Sequence, residues 1–291
     1  MAATEWDGAT FEAHRPLLFS IAYRMLGSAS EAEDVVQDAW LRARQDEHAD
    51  VRSARAYLTT IVTRLCIDHL RSAERTRLEY RGPWLPEPLA GPNQESAELA
   101  SSLTTAFLVL LEQLAPTERA VFLLREVFEL DFDEIARSIG KSEANTRQIL
   151  TRARGRLRDS RPRFTASRRE SEEIVRQFRR ACVTGNVDQL MAVLHADAKL
   201  VADGGGKAAA ATRPVLGADR IAKFVLGYAR KVHWSEADFQ LVSVNGTPGL
   251  LLRHPLAGTG AYSFDIVDGR IRAIYVVRNP DKLRGFLEHT H

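Results

Sequence analysis

Residues 142–158, SEANTRQILTRARGRLR, carry the clearest structural signal in the chain. Ser142 is a favourable N-cap for a helix. Four apolar residues recur with helical spacing and predict one buried face: Ile149, Leu150, Ala153 and Leu157. The opposite face carries the arginines 147, 152, 154, 156 and 158, and no acidic residue occurs from Ala144 to Arg158.

The stretch just upstream, DFDEIARSIG (131–140), predicts a shorter amphipathic helix. Gly140 and Lys141 would form a tight turn between the two helices. This arrangement is a helix-turn-helix, whose second helix lies in the major groove with its first turns at the bases. The alternative is an ordinary helix with a solvated arginine face.

Length, charge and cysteine content predict a multidomain protein with a local basic surface and without a disulfide framework. A chain of 291 residues with 45% hydrophobic residues is long enough for two or three domains with proper cores. Positive charge is concentrated in 144–163, which hold seven arginines against one acid, as expected where a duplex binds. Two distant cysteines and the lack of a signal peptide or long apolar run predict a cytoplasmic protein without disulfides or metal ligands.

Three helices are predicted before residue 78: 7–28, 30–44 and 54–77. Ser30 and Glu33 form a capping box for the second helix. Its outer face is partly acidic and partly apolar, which fits either a solvated surface or a docking face for a partner. The third helix carries an outward basic strip, which taken alone favours a solvated helix over a nucleic-acid site.

Four prolines within 78–94 exclude a continuous helix there and predict an extended, semi-rigid linker. Trp84 and Leu85 are unusual in a solvated linker, so we expect them to pack against another surface. Helices return over 95–128 and complete a four-helix unit with the helix-turn-helix.

Beyond residue 166 the pattern changes to helices at 171–184, 187–195 and 217–229, followed by strands. The strands are predicted at 198–203, 236–245, 249–255, 260–267 and 270–278, with turns at NGTPG (245–249) and VDGR (267–270). This order favours an α+β domain with helices packed on a curved antiparallel sheet.

The strings EDVVQDAWLRAR, RAYLTTIVTRLCIDHLR and LAPTERAVFLLREVFELDFDEIARSIGKSEANTRQILTRARGRL resemble regions 2 and 4 of extracytoplasmic-function (ECF) sigma factors of RNA polymerase. Three more strings, WLPEP (84–88), DGGGK (203–207) and NPDKL (279–283), are similar to a sigma-J-like subgroup with a fused, cone-shaped SnoaL-like domain. The resemblance implies a multidomain chain with two all-α domains and an α+β domain. Its expected parts are region 2 (1–77), a Pro-rich linker (78–94), region 4 (95–165) and the SnoaL-like domain (166–291).

The resemblance also implies roles for individual residues. A set on the second helix would bind core RNA polymerase at the β′ clamp helices, region 4 being expected at the β flap: Asp34, Gln37, Asp38 and Leu41. A second set would melt and read the −10 element, where a flipped base must be captured: Asp50, Arg52, Arg55, Tyr57, Thr60 and Arg64. A third set would contact the −35 element: Thr146, Arg147, Gln148, Thr151, Arg152 and Arg154.

The subgroup strings imply that the C-terminal domain regulates the sigma core through contacts with the linker. The residues concerned are Trp84, Leu85, Pro86, Glu87, Asp203, Gly204, Gly205, Gly206, Lys207, Asn279, Pro280, Asp281, Lys282 and Leu283. The linker is more proline-rich than in other members of the family, which makes its usual path through the polymerase's RNA exit doubtful and suggests that it docks on this domain. We expect no cofactor, and a small apolar ligand in the cone is a candidate partner.

Two alternatives stay open at this point. The C-terminal domain could be an isomerase- or hydrolase-like enzyme, because such sites use a carboxylate base in an apolar cone. Its candidate residues are His195, Asp203, His233, Tyr262 and Asp265. The whole chain could instead be a free-standing helix-turn-helix regulator, although that would leave the helices at 30–77 without a role.

Overall fold

The structure is a computed structural model that describes residues 8–45, 53–91, 103–157 and 167–290, without the side chains of 74–78 and 235. Its helices are α1 (Gly8–Leu26), α2 (Ala29–Gln45), α3 (Ala54–Leu78), α4 (Thr105–Leu111), α5 (Pro116–Glu126), α6 (Phe132–Ile139), α7 (Glu143–Leu157), α8 (Arg168–Thr184), α9 (Val187–Val193), α10 (Ala218–Lys231) and α11 (Pro280–Glu288). Its strands are β1 (Leu194–Asp203), β2 (Val215–Leu216), β3 (Asp238–Val244), β4 (Thr247–His254), β5 (Gly258–Val267) and β6 (Arg270–Val277).

The chain divides into two compact units that are not continuous in sequence. The helical unit comprises residues 1–78 and 110–160, and the C-terminal unit comprises 79–109 and 161–291. The described residues between the two helical stretches, 79–91 and 103–109, therefore fold with the C-terminal unit. The boundaries expected from sequence assigned 78–94 to a semi-rigid linker and 95–165 to region 4.

The helical unit is held together by apolar faces of α1, α2, α3 and α5. Leu18, Leu26, Leu58, Leu111 and Leu123 are completely buried. Arg119 on α5 is also buried, and its guanidinium donates to the carbonyl of Met25 at 2.7 Å and to Glu112 at 2.8 Å. These bonds compensate the desolvation of a buried charge and connect α5 to the end of α1.

The C-terminal unit has a six-stranded sheet in the order β2-β1-β6-β5-β4-β3. The predicted turns are two-residue hairpins, Asn245–Gly246 and Asp268–Gly269, with positive φ at both positions in each turn. This is the geometry that joins twisted antiparallel strands. One face of the sheet packs against α8, α9 and α10, and the other packs against the linker and α11.

Two expectations for this unit need correction. The sheet is mixed, not antiparallel, because β1 runs parallel to β6. The predicted strand at 198–203 began too late, since β1 starts at Leu194, and the short strand β2 was not predicted. The string NPDKL begins α11: Asn279 caps the helix by accepting from the backbone N–H of Asp281 at 3.1 Å, and Pro280 occupies the first turn.

Candidate nucleic-acid interface and linker clamp

The helix-turn-helix is formed by α6 and α7, as the sequence predicts. Gly140 ends α6 in the left-handed conformation (φ +65°), which glycine adopts without a steric penalty. Ser142 caps α7, its hydroxyl accepting from the backbone N–H of Asn145 at 3.3 Å. Gly140 and Ser142 therefore define the tight turn between α6 and α7 and the direction in which α7 starts.

The exposed face of α7 carries five of the six residues expected at the −35 element: Arg147, Gln148, Thr151, Arg152 and Arg154. Arg147 lies over the ring of Phe132 on α6, 4.2 Å from its centroid, and pairs with Glu143 at 2.9 Å. Arg154 pairs with Glu126 on α5 at 2.6 Å. These contacts fix the direction of two guanidinium groups before any DNA is bound.

Thr146 does not fit the role expected of it. Its side chain is completely buried, and its hydroxyl donates to the carbonyl of Ser142 at 2.9 Å. Because the side chain lies on the inner face of α7, its burial argues against the expected −35 contact of Thr146, which stays a prediction. The exposed face of α7 begins instead with Arg147 and Gln148, which follow Thr146 in the chain.

The −10 candidates lie on α3 or just before it. Arg55 is exposed and Tyr57 half-buried, whereas Asp50 and Arg52 lie outside the described residues. The Thr60 hydroxyl lies 3.0 Å from that of Ser138 on α6. Arg64 donates to the carbonyls of Arg137 and Ser138, both at 2.9 Å. In this conformation the end of α6 covers part of the α3 face.

The four residues expected at core polymerase all lie on one exposed face of α2: Asp34, Gln37, Asp38 and Leu41. Their spacing of three and four residues places them side by side along the helix. Leu41 is 47% exposed although it is a large apolar side chain. An exposed leucine that shares its face with two preceding carboxylates is suited to a partner helix that offers both apolar and basic side chains.

The strings WLPEP, DGGGK and NPDKL meet in the C-terminal unit around the carboxylate of Asp203, which is completely buried. This carboxylate accepts from the Tyr80 hydroxyl at 2.6 Å, the Leu85 backbone N–H at 2.9 Å and the Lys282 ammonium at 2.8 Å. We call Asp203, Asn279 and Lys282, together with Tyr80 and Leu85, the linker clamp. A buried charge is tolerated only when it is paired and hydrogen-bonded in this way.

Lys282 holds the linker from the opposite side of Asp203. Its ammonium donates to the Leu85 carbonyl at 2.6 Å and lies 4.1 Å from the centroid of the Trp84 ring. Asn279 donates from its side-chain amide to the Tyr80 hydroxyl at 2.9 Å. Burial and the adjacent Asp203 carboxylate raise the pKa of the Tyr80 phenol, which therefore stays protonated and acts as a donor.

Beyond the clamp, the linker lies on one face of the sheet, and Ala90 near its end pairs with Val244 of β3. Leu85 is completely buried among Val244, Leu251 and Phe286. The Leu89 N–H donates to the Asn245 side chain at 2.6 Å, and the Asn245 N–H donates back to the Leu89 carbonyl at 2.9 Å. Trp84 is half-buried and Pro86 buried, whereas Glu87 is partly exposed. The linker is thus extended but not solvated.

The glycines of DGGGK lie close to the linker, and the space at each is limited. A Cβ at Gly205 would come within 2.3 Å of the Asn279 amide and 3.1 Å of the Tyr80 hydroxyl, and one at Gly206 within 2.9 Å of Arg81. Lys207 forms an exposed ion pair with Asp281. Leu283 is buried behind the clamp, and Pro280 is exposed.

A cavity of about 210 Å³ opens on the other face of the sheet, between β1, β5, β6 and α10. Its walls are apolar except around Tyr228, Tyr262 and Arg278. Of the five candidate catalytic residues only Tyr262 lines it. Asp203 belongs to the clamp, and Asp265 is bound by Arg272 at 2.8 and 2.9 Å. No carboxylate or histidine among the described residues lines the cavity, and none of their His, Cys, Asp and Glu side chains form a metal-binding group.

The helical unit has the architecture of a promoter-recognition factor. Residues 10–76 match the Sigma-70 region 2 family, and residues 104–157 match Sigma-70 region 4. Together with the relatives described next, these matches show that the chain belongs to the ECF sigma factors of RNA polymerase.

The chain is 35% identical to the ECF RNA polymerase sigma factor SigJ of Mycobacterium tuberculosis H37Rv over 94% of its own length and 92% of the relative's. It is 32% identical to the probable ECF sigma factor SigI of the same species, with 94% of each chain covered. The crystal structure of M. tuberculosis SigJ matches with a TM-score of 0.78 at 32% identity, over 96% of this chain and 99% of that one.

The protein is therefore a sigma factor that binds core RNA polymerase and promoter DNA and directs promoter-specific initiation. A sigma factor is a non-enzymatic initiation factor that acts with the polymerase, so the free-standing regulator does not describe the chain. The helix-and-mixed-sheet C-terminal unit is consistent with the expected SnoaL-like domain. Within the described ranges no helix has the length and hydropathy needed to cross a bilayer.

Sequence reasoning missed three residues that matter here. Tyr80 lies four residues before WLPEP, and nothing in its surroundings marks it as a clamp residue. The sequence predicted that Asn245 lies in a turn, but it did not predict the hydrogen bonds between Asn245 and Leu89. Arg278 directly precedes NPDKL, and only the tertiary structure shows that it bridges three segments at the cavity.

Proposed function

We propose that the C-terminal unit regulates this sigma factor by holding the linker between regions 2 and 4. The supporting observation is the buried Asp203 carboxylate, which binds Tyr80 and Leu85 of the linker and Lys282 of the C-terminal helix. A linker fixed along 80–90 cannot extend freely, and this limits how far the two DNA-binding regions can spread over a promoter. The unit would thus replace a separate anti-sigma factor.

Transcription in vitro tests this proposal with the full chain and core polymerase free of other sigma factors. Tyr80→Phe removes one donor to Asp203 but keeps the ring, so the linker should be held more weakly and initiation should rise severalfold. Tyr275→Phe is the matched control, because Tyr275 is a buried tyrosine of the same unit. Equal output from wild type and Tyr80→Phe, or a fall in output, would contradict the restraining role.

We further propose that the exposed α2 face binds the β′ clamp helices and that region 4 binds the β flap. Leu41 at 47% exposure, on the same face as the carboxylates of Asp34 and Asp38, supports the first contact. Leu41→Arg should weaken binding to core polymerase at least tenfold, since it replaces an apolar contact with a charge. Val187→Arg, a similarly exposed apolar residue of the C-terminal unit, serves as control.

For promoter DNA, we propose that Arg147, Gln148, Thr151, Arg152 and Arg154 contact the −35 element and that the α3 face reads the −10 element. An arginine can bond guanine O6 and N7 together, whereas phosphate contacts position the protein without specifying sequence. Because Thr60 and Arg64 contact α6, we propose that α6 and α3 separate before the −10 element is bound. We expect the protein to act in the cytoplasm, where the polymerase and its promoters are.

A further inference from the structure

The wall of the cavity in the C-terminal unit is apolar over most of its area and polar in one region. Aliphatic and aromatic side chains form most of it, including Leu200, Ala202, Phe224, Val225 and Val276. Phe224 is 41% exposed although it is a large apolar residue. This surface favours an apolar molecule that enters from solvent and is buried on binding.

The polar groups of the wall gather around Arg278. Its guanidinium donates to the Tyr228 hydroxyl at 2.9 Å and to the carbonyls of Ala209 and Ala257. Nε–H and one Nη2–H then have no acceptor among the described residues. Tyr262 is 7% exposed, and its hydroxyl has no partner among those residues either. A Cβ at Gly260 would lie 3.2 Å from the Tyr262 ring and 3.4 Å from the Arg278 side chain, which shows how close the two are.

The charge of this wall determines which head group fits. Arg278 is the one charged residue among the described residues that line the cavity. An anion there would gain a charge-assisted, two-pronged hydrogen bond from the guanidinium and a third from Tyr262. We propose that the cavity binds a small monocarboxylic acid with an apolar body, its carboxylate on Arg278 and Tyr262.

The same arginine connects the cavity to the linker clamp. The backbone N–H of Arg278 donates to the Asp203 carbonyl at 2.7 Å, and that of Asn279 donates to the same oxygen at 3.0 Å. The loop that Arg278 holds at Ala209 follows directly on the Gly204–Gly206 turn, which packs against Tyr80. A carboxylate bound to the remaining donors would pull the guanidinium toward the cavity and lengthen its bonds to Ala209 and Ala257, which would loosen this loop and weaken the clamp. This consequence rests on the proposed regulatory function, whereas the binding site itself does not.

The binding site is tested on the full chain by isothermal titration with sodium octanoate, with octan-1-ol as the uncharged probe of equal length. Octanoate should bind and octanol should bind at least tenfold more weakly. Tyr262→Phe should weaken octanoate binding about tenfold through loss of a hydrogen bond to a charged group. Ala211→Leu, which fills the cavity without touching Arg278, should abolish binding. Absence of octanoate binding to the wild type, or equal affinity for octanol, would overturn the proposal.

Coupling to the clamp is measured by hydrogen exchange at residues 79–91. Saturating octanoate should speed exchange there in the wild type and leave it unchanged in Ala211→Leu. Octanoate can shift the equilibrium between a held and a released linker only by the difference between its affinities for these two states. Octanoate that binds without changing exchange at 79–91 would overturn the coupling. Tyr80→Phe needs no ligand, so its effect on transcription separates failure of the regulatory function from failure of the carboxylate site.

Discussion

The ammonium of Lys282 lies 2.8 Å from the carboxylate of Asp203, and the two side chains are only 8% and 0% exposed. Both charges are almost completely withdrawn from solvent, so each depends on the other and on the linker groups that bind them. Such a pair adds little net stability compared with apolar residues, but it is very sensitive to loss of one member. Displacing the linker would remove the bonds from Tyr80 and Leu85 to this buried pair.

A double-mutant cycle on this pair should show strong coupling. Asp203→Ala leaves Lys282 buried without its counter-ion and should lower the free energy of unfolding of the C-terminal unit by about 3–5 kcal/mol. Lys282→Met should cost a similar amount, but the double variant should cost clearly less than the sum of the two. Urea unfolding of the four proteins, followed by circular dichroism, measures the coupling. Additive effects would mean that the two charges do not depend on each other.

Arg147→Ala should change promoter preference, whereas Thr146→Val should not. Arg147 lies on the exposed face of α7, and its loss should remove roughly 1–3 kcal/mol of discrimination at one base pair of the −35 element. Thr146 is buried next to it and has no access to DNA. Transcription from a set of single-base promoter variants measures both. An altered base preference in Thr146→Val would show that the inner face of α7 contacts DNA after all.

A disulfide between Thr60→Cys and Ser138→Cys should lock α6 onto α3. The two hydroxyl oxygens are 3.0 Å apart, so cysteine sulfurs could bond after a small shift. The oxidised double variant should lose at least nine-tenths of its initiation at a promoter with both elements, and a reductant should restore it. Each single variant, treated with the same oxidant, is the control. Full activity of the cross-linked protein would show that α6 and α3 need not separate.

The two native cysteines should not interfere with that experiment. Burial raises the pKa of the thiols of Cys66 and Cys182, so both stay protonated across the neutral range and up to pH 9. Because the thiolate is the reactive form, we expect reaction with Ellman's reagent to be slower in the native protein than in guanidinium chloride by a factor on the order of 10². Rapid labelling of either cysteine in the native protein at pH 8 would contradict this.

The sequence was most informative where a local rule decides the structure. Ser142 and Gly140 predict the start of α7 and the end of α6 because capping depends on backbone geometry within one turn. The hairpins at Asn245 and Asp268 follow for the same reason. The outer face of α2 was also predictable, since helical periodicity alone assigns Asp34 and Leu41 to the surface.

Only the tertiary structure decided which distant segments meet. No local pattern states that Asp203 binds Tyr80 and Lys282, that β1 runs parallel to β6, or that Arg278 connects a cavity to the linker. The burial of Thr146 was overlooked, although its spacing of three and four residues from Ile149 and Leu150 places it on the apolar face of α7. These features depend on long-range burial and on the pairing of desolvated polar groups, whereas caps, turns and periodicity are properties of adjacent residues.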